Sequence, residues 1–141
     1  MLTRRTLLLS ALAAPFVSPA SAANDNTLKM RELYGMGHGF SDLAYQLDGN
    51  RITVEGYMAP PLKADSQFFV LTRIPMSVCP FCETEAEWPD DIMAIYTKRV
   101  IDVVPFNVKI KTSGLLEMGS YKDPDTGFLS LIRLTDATYD R

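Results

Sequence analysis

The sequence has few of the side chains that build metal and catalytic sites. Its 141 residues include two cysteines, one histidine and one tryptophan. Structural zinc sites usually take four cysteine or histidine ligands. A site of four thiolates, of three thiolates and an imidazole, or of two thiolates and two imidazoles is therefore excluded within one chain. The sequence also has no nucleophile elbow, no glycine-rich phosphate loop and no His-Glu-x-x-His pattern, so the common hydrolase and nucleotide-binding motifs are absent.

Basic runs and long apolar runs are also missing. The formal net charge is −3 at pH 7, and an acidic chain without a basic stretch does not favour nucleic acid as a partner. Beyond the N-terminal region no apolar stretch reaches the length of about 20 residues that a membrane-spanning helix needs. We therefore expect a protein that binds no nucleic acid and that has no stable membrane insertion.

The N-terminus has the three parts of a secretory signal peptide. Arg4 and Arg5 form the basic region, Thr6 to Val17 is apolar, and Ala20-Ser21-Ala22 is a small-x-small cleavage site. The arginine pair also resembles a twin-arginine signal, and both export routes stay open. Cleavage after Ala22 removes two of the 14 basic residues and none of the 17 acidic ones. We expect a soluble periplasmic product with an acidic balance.

The chain divides into three parts by pattern. Residues 1–22 are the signal peptide, 23–47 are a leader with a short helical segment, and 48–141 form one β domain. Within the leader, Leu28 to Tyr34 is predicted to form two helical turns with Thr27 as the N-cap, and Phe40 to Leu47 a short helix capped by Ser41. A glycine-rich loop at 35–39 separates the two.

Strand patterns dominate the rest of the sequence. Apolar alternation and turn residues predict five strands: Arg51–Met58, Gln67–Ile74, Ile92–Thr97, Phe106–Thr112 continuing past Gly114 toward Met118, and Phe128–Leu134. A glycine within the fourth strand is typical of a bulge or a barrel corner. This pattern predicts an all-β, five-stranded OB-like antiparallel barrel. Its predicted core comprises Ile52, Val54, Phe68, Val70, Leu71, Ile92, Ile95, Val108, Ile110, Leu129, Leu131 and Ile132.

The reactive side chains are concentrated between the second and third strands. Cys79 and Cys82 form a C-P-F-C motif, and five acids follow within 83–91. Two cysteines at this spacing can chelate one soft cation such as zinc or copper. The candidate partners of the two thiolates are His38 and one carboxylate, Glu83 or Glu85. Met76 is a further candidate for copper, although methionine is more often a core residue.

Two other interpretations of the cysteine pair stay open. C-P-F-C resembles the motif of thioredoxin-like redox enzymes, but no βαβ unit precedes it. The neighbouring carboxylates also raise the pKa of a thiol, which opposes a reactive thiolate. The third interpretation is a structural disulfide, which an oxidising compartment permits. The closed loop is so short that its stabilisation would be modest.

Four blocks of sequence in order carry a resemblance to a known family. They are L-D-G-N-R-I-T-V-E-G-Y-M-A-P-P-L, F-F-V-L-T-R-I-P-M, C-P-F-C and E-W-P-D-D-I, within Leu47 to Leu134. The sequence resembles a family of small exported bacterial proteins of unassigned function with a C-P-F-C motif in an OB-like domain. Members are often encoded beside ABC-type transporter components, some tied to zinc uptake. The resemblance implies a periplasmic accessory to a transporter and supplies no ligand residues.

Overall fold

Six strands, one short α-helix and one 3-10 helix make up the described part of the chain. The computed structural model describes residues 26–36, 39–61, 63, 65–77 and 91–141. The strands are β1 (Thr27–Lys29), β2 (Arg51–Met58), β3 (Phe68–Thr72), β4 (Ile92–Thr97), β5 (Lys109–Lys122) and β6 (Leu129–Asp140). The 3-10 helix is Met30–Leu33, and the α-helix α1 is Asp42–Leu47. The expected β class is thus confirmed.

The strand pairings run round a ring. β2 pairs with β3, β3 with β4, β4 with β6, β6 with β5, and β5 returns to β2. The four pairs other than β4–β6 are antiparallel, whereas β4 and β6 run parallel. β1 adds a sixth strand, parallel to β2. The prediction of a wholly antiparallel, five-stranded arrangement is wrong in these two respects, because local alternation carries no information on which strands become neighbours.

Close approach between strands explains two glycines. The inner face of β2 alternates as predicted, with Ile52, Val54, Gly56 and Met58 all buried. A Cβ on Gly56 would lie 2.7 Å from the carbonyl oxygen of Thr72, and one on Gly114 would lie 2.8 Å from that of Thr135. Gly114 also coincides with a register shift between β5 and β6, at the position where a bulge or a barrel corner was predicted, and the strand continues through it.

Two apolar clusters lie on opposite faces of the β3–β4 hairpin. The larger one takes Phe69, Leu71, Met93 and Ile95 from these strands, and the smaller one takes Phe68, Val70, Ile92 and Ala94. The hairpin is therefore buried on both faces. Nine of the predicted core residues are buried, namely Ile52, Val54, Phe68, Val70, Leu71, Ile92, Ile95, Ile110 and Ile132.

Three predicted core residues are not part of that buried set. Leu129 is 52% exposed, and Val108 and Leu131 are half-buried. Leu129 is the first residue of β6, directly after the turn, and its side chain lies on the exposed side of the strand. Met58 and Met93 are fully buried in the larger core, so both are packing residues.

The N-terminal part differs from the predicted two helical turns. Thr27–Lys29 is strand β1, in register with Thr53–Glu55, and only Met30–Leu33 is helical, in a 3-10 turn. Pairing with the open side of β2 outweighs the weak helical pattern. The second helix is confirmed, because α1 begins after Ser41, whose hydroxyl accepts a 3.2 Å hydrogen bond from the backbone nitrogen of Ala44.

The last two strands are longer than predicted. β5 extends to Lys122 and β6 to Asp140, and the two are joined by a turn in which the backbone nitrogen of Gly127 donates to the Asp123 carbonyl. β6 continues through Asp136, which has a φ of 50° at a bulge against β4. The Tyr139 hydroxyl donates to the Asp102 carbonyl and accepts from its nitrogen, both at 2.7 Å, which anchors the connection that precedes β5.

Candidate functional site

The residues proposed from the sequence as metal ligands fall in two segments outside the described residues. Cys79, Cys82, Glu83 and Glu85 lie within 78–90, and His38 lies within 37–38. The structure describes the chain on both sides of each segment. The described residues that flank each segment, here called its stem, are therefore defined.

The stem of the cysteine segment is the end of the β3–β4 hairpin. Thr72 pairs with Ile92, and one further backbone hydrogen bond follows, from the nitrogen of Arg73 to the carbonyl of Asp91 at 2.9 Å. The Thr72 hydroxyl donates to the carbonyl of Ile74 at 2.6 Å. Because both strands are buried on both faces, the cysteine segment starts and ends on a fixed base.

The stem of the histidine loop lies against that base. The backbone nitrogen of Gly35 donates to the Gly39 carbonyl at 3.0 Å, and Tyr34 and Phe40 form a bridge with ring centroids 5.1 Å apart. The Tyr34 hydroxyl donates to the carbonyl of Ile92 at 2.5 Å. The two stems are thus joined by a hydrogen bond, although they are far apart in sequence.

Four basic side chains line a concavity beside the same base. Lys29, Arg31, Arg73 and Lys109 surround a volume of about 160 Å³, together with Met30, Glu55, Gly56 and Tyr57. We call this concavity the basic groove. The Nζ atom of Lys109 lies 4.0 Å from Oε1 of Glu55. Within the described part of the chain, the other three cations form no ion pair.

The sequence reasoning missed the basic groove. The cysteine segment is acidic in sequence, but the fold brings cations from β1, the 3-10 helix and β5 to its stem. A signal for it does exist in the alternation of Lys109, Ile110 and Lys111, which places two lysines on the outer face of a strand. The convergence with Arg31 and Arg73 depends on strand order, which local patterns do not give.

A second polar cluster lies on the outer surface of β4, β5 and β6. Arg133 donates to Glu117 at 3.0 Å, to the Gly119 carbonyl at 2.8 Å and to the Ser130 hydroxyl at 3.2 Å. Its guanidinium carbon lies 5.0 Å from the ring centroid of Tyr121. We call these residues, with Tyr96 and Asp123, the Arg133 network.

Asp123 connects this network to the β5–β6 turn. One carboxylate oxygen accepts from the backbone nitrogens of Asp125 and Thr126, and the other accepts from the Tyr96 hydroxyl at 2.9 Å. Burial raises the pKa of Asp123, but the two backbone donors, the Tyr96 hydroxyl and the charge of Lys63 outweigh it, and the net pKa is lowered. Burial, followed by the bond to Asp123, raises the pKa of Tyr96. The network satisfies its own charges and acts as scaffold.

A larger recess lies between β1, α1, β2 and β5. Its volume is about 470 Å³, and its walls include Leu28, Leu43, Leu47 and Ile52. The charged residue on its rim, Arg51, forms an ion pair with Asp136 at 3.4 Å. Among the described residues that line it, the recess therefore has no charged group other than this paired arginine.

Two further observations concern the described residues only. Among them, no group of three histidine, cysteine, aspartate or glutamate residues is arranged to hold a metal ion. None of the helices in these ranges has the length and apolar character needed to cross a membrane.

Comparison with known proteins gives a structural neighbour. No protein-family model matches the sequence, and no curated protein matches it. The crystal structure of a DUF3299 family protein from Pseudomonas aeruginosa is similar, with a TM-score of 0.51 and 14% sequence identity. The match covers 82% of this chain and 95% of the neighbour. At this identity the likeness concerns the fold alone.

Proposed function

We propose that the described sheet is an OB-like barrel. The support is the ring of pairings, in which β2, β3 and β4 follow one another and β6 and β5 close the circuit back to β2. A five-stranded Greek-key barrel has such a closed circuit. Gly56 and Gly114 lie where neighbouring backbone approaches closely, and a glycine within a strand often marks such an approach or a bend at a barrel corner.

We propose further that the protein is an exported accessory that binds a soft metal ion, zinc or copper, in support of a transporter. Cys79 and Cys82 are the proposed thiolate ligands, with His38 and Glu83 or Glu85 as their partners. The protein-specific support is the hydrogen bond from the Tyr34 hydroxyl to the Ile92 carbonyl. It joins the stems of the two segments that hold the proposed ligands, so one site can draw on both.

The ligand set favours a metal that is bound and released. Two thiolates at C-x-x-C spacing chelate a cation, whereas an imidazole and a carboxylate complete the set less strongly than two further thiolates. A transport accessory needs such an exchangeable site because it must hand over its cargo. Thiolate ligands lose their protons on binding, so we expect affinity to rise with pH and protons to be released.

A specific observation favours thiol–disulfide redox chemistry as the second candidate. The basic groove reaches Arg73 at the stem of the cysteine segment, and positive charge beside a thiol lowers its pKa and raises its reactivity. The same charge opposes a bound cation. The groove therefore supports the redox alternative, while the acids of the cysteine segment support the metal site.

Metal analysis of the reduced protein tests the proposal. The proteins are the wild type, Cys79→Ser, Cys82→Ser and His38→Ala, with Met118→Leu on β5 as a control of similar volume. We expect near-stoichiometric zinc or copper in the wild type and the control, and a loss of at least half in each cysteine variant. Equal metal in all proteins moves the site elsewhere, and no metal in any protein under reducing conditions contradicts the proposal.

Alkylation of the thiols separates the alternatives. A redox enzyme needs a Cys79 thiol that is alkylated well below pH 7. A Cys79 pKa at or above the free thiol value of about 8.5 removes that alternative. Mass measurement without reductant detects a structural disulfide as a loss of two hydrogens.

Export is tested on the protein from its natural host. Mass spectrometry should find Ala23 as the first residue of the mature protein. An intact Met1 terminus in the mature pool contradicts cleavage after Ala22.

A further inference from the structure

The basic groove is built by the register of three strands on the outer surface of β2. Lys29 of β1 lies beside Glu55, and Lys109 of β5 lies beside Tyr57. Thr72 of β3 pairs with Tyr57 from the other side, which places Arg73 next to the same position. Cations from separate elements therefore converge on one stretch of β2.

The charges of the described residues that line the groove are not balanced. Among these residues, four cations face one carboxylate, Glu55, in a chain whose formal net charge is −3. Gathering like charges costs free energy unless a counter-charge binds. The backbone of Lys29 and Arg31 is held in place because Met30 between them is buried in the core. The fold therefore fixes the positions from which these two cations extend.

We propose that the basic groove binds a small oxyanion of the phosphate class. The planar guanidinium groups of Arg31 and Arg73 match the paired oxygens of such an anion, and Lys29 and Lys109 add point charges. The Tyr57 hydroxyl forms no hydrogen bond within the described residues and is available as a neutral donor. This site is separate from the proposed cysteine site and does not depend on it.

The volume of the groove suits a small anion. It is about 160 Å³, below the roughly 300–1,000 Å³ of pockets for drug-sized molecules. A tetrahedral oxyanion with part of its hydration shell fits this space.

Titration with inorganic phosphate tests the inference. The backbone amide resonances of Arg31, Tyr57 and Arg73 are followed by NMR on the mature protein at constant ionic strength, with sodium chloride as the reference salt. We expect saturable shifts at these amides with phosphate and none with chloride. Shifts that do not saturate, or that chloride reproduces, overturn the proposal.

Variants on the rim of the groove sharpen the test. The double variant Arg31→Gln with Arg73→Gln should bind phosphate at least about tenfold more weakly, because two charge-assisted hydrogen bonds are lost. The matched controls are Arg99→Gln and Lys122→Gln, which remove exposed cations outside the groove. They should stay within about twofold of the wild type. Equal losses in variant and controls indicate general charge screening and overturn the site.

Glu55→Gln gives a test in the opposite direction. Removing the carboxylate that competes for Lys109 should tighten phosphate binding about threefold or more. Unchanged or weaker binding contradicts the proposal even if the double arginine variant fails to fold. Cys79→Ser with Cys82→Ser should leave phosphate affinity unchanged, so failure of the metal proposal and failure of this one are distinguishable.

Discussion

The Arg133 network and the basic groove are two polar clusters on the same sheet that differ in whether their cations have partners within the cluster. Arg133 is only 8% exposed and has a carboxylate, a carbonyl and a hydroxyl as acceptors, with an aromatic ring alongside. Arg31 and Arg73 are exposed and have no ion-pair partner in the described ranges. A cluster whose charges satisfy one another stabilises the fold, whereas one with unused charge is available to a ligand.

The difference also follows from where the partners originate. Arg133 finds its acceptors on the neighbouring strand β5 and on its own strand. The cations of the groove come from β1, the 3-10 helix, the end of β3 and β5, and among the described residues only Lys109 is paired, with Glu55. Burying an unpaired charge is costly, so the exposed position of the groove is the physical condition for leaving its charges uncompensated.

The variants Arg133→Met and Arg73→Met test this comparison, and the first of them has the largest expected effect on stability. Arg133→Met should lower the free energy of unfolding by about 2–3 kcal/mol, because several charged hydrogen bonds and the contact with Tyr121 are lost. Glu117 is 47% exposed and stays hydrated, which limits the loss. Arg73→Met should change stability by less than about 0.5 kcal/mol. Urea unfolding measures both, and equal costs refute the distinction between scaffold and ligand site.

The floor of the groove should behave differently from its rim. Gly56→Ala would place a methyl group 2.7 Å from the Thr72 carbonyl oxygen and 2.9 Å from Cγ of Leu71. Backbone must move to admit it, and we expect a loss of about 2 kcal/mol, within the range for overpacked sites. The control Glu55→Ala changes the neighbouring outward side chain and should cost less than about 0.5 kcal/mol. Thermal unfolding measures the stability of both variants. A Gly56→Ala variant that is as stable as wild type contradicts the close approach.

Strand existence was predictable from the sequence, and strand partnership was not. The alternation in Arg51–Met58 and the apolar run in Ile92–Thr97 give both strands with their correct bounds. The parallel pair β4–β6 and the edge strand β1 were missed. Alternation is a local property of side chains, whereas pairing depends on contacts between residues distant in sequence.

For the candidate site, the sequence identified the two cysteines as reactive residues but not the residues of other elements that lie near their segment. The C-x-x-C spacing is a local signal, so Cys79 and Cys82 stand out without a structure. The hydrogen bond between Tyr34 and Ile92, and the arrival of Lys29 and Lys109 beside Arg73, join residues from different elements. The residues that are neighbours in sequence form an acidic segment, whereas the residues that are neighbours in space form a basic groove at the stem of that segment.

Acid should affect the Arg133 network through Asp123. The pKa of Asp123 is lowered in the folded state, so its carboxylate contributes stability above the unfolded value of about 3.9. That contribution is lost as the pH falls through the folded pKa. Asp123→Asn should cost about 1–2 kcal/mol at pH 6, and the difference from wild type should shrink as the pH falls below the unfolded value toward the lowered folded pKa.

The matched control for this prediction is Asp125→Asn. Its carboxylate forms no hydrogen bond within the described residues, so stability should change by less than about 0.5 kcal/mol at either pH. Urea midpoints at several pH values measure both variants. A difference between wild type and Asp123→Asn that stays constant down to pH 2 contradicts the assigned role of the ionised carboxylate.

The smallest expected effect on stability concerns the hydrogen bond between the two stems. Tyr34→Phe removes the donor to the Ile92 carbonyl and keeps the ring against Phe40. We expect a loss of about 1 kcal/mol and faster hydrogen exchange at the amides of Gly35 and Arg73, which close the two stems. The control is Tyr45→Phe, which is 60% exposed and should have no effect.

Metal affinity makes the same variant a test of the proposed site. If His38 completes a site with the two cysteines, loosening the stem contact should weaken metal binding by about threefold to tenfold. That change should disappear in a His38→Ala background, because residues that act through one contact are not additive. A double-mutant cycle of Tyr34→Phe and His38→Ala, followed by competition with a chelator, measures this coupling. Equal effects of Tyr34→Phe with and without His38 remove the histidine from the site and leave the cysteines as its ligands.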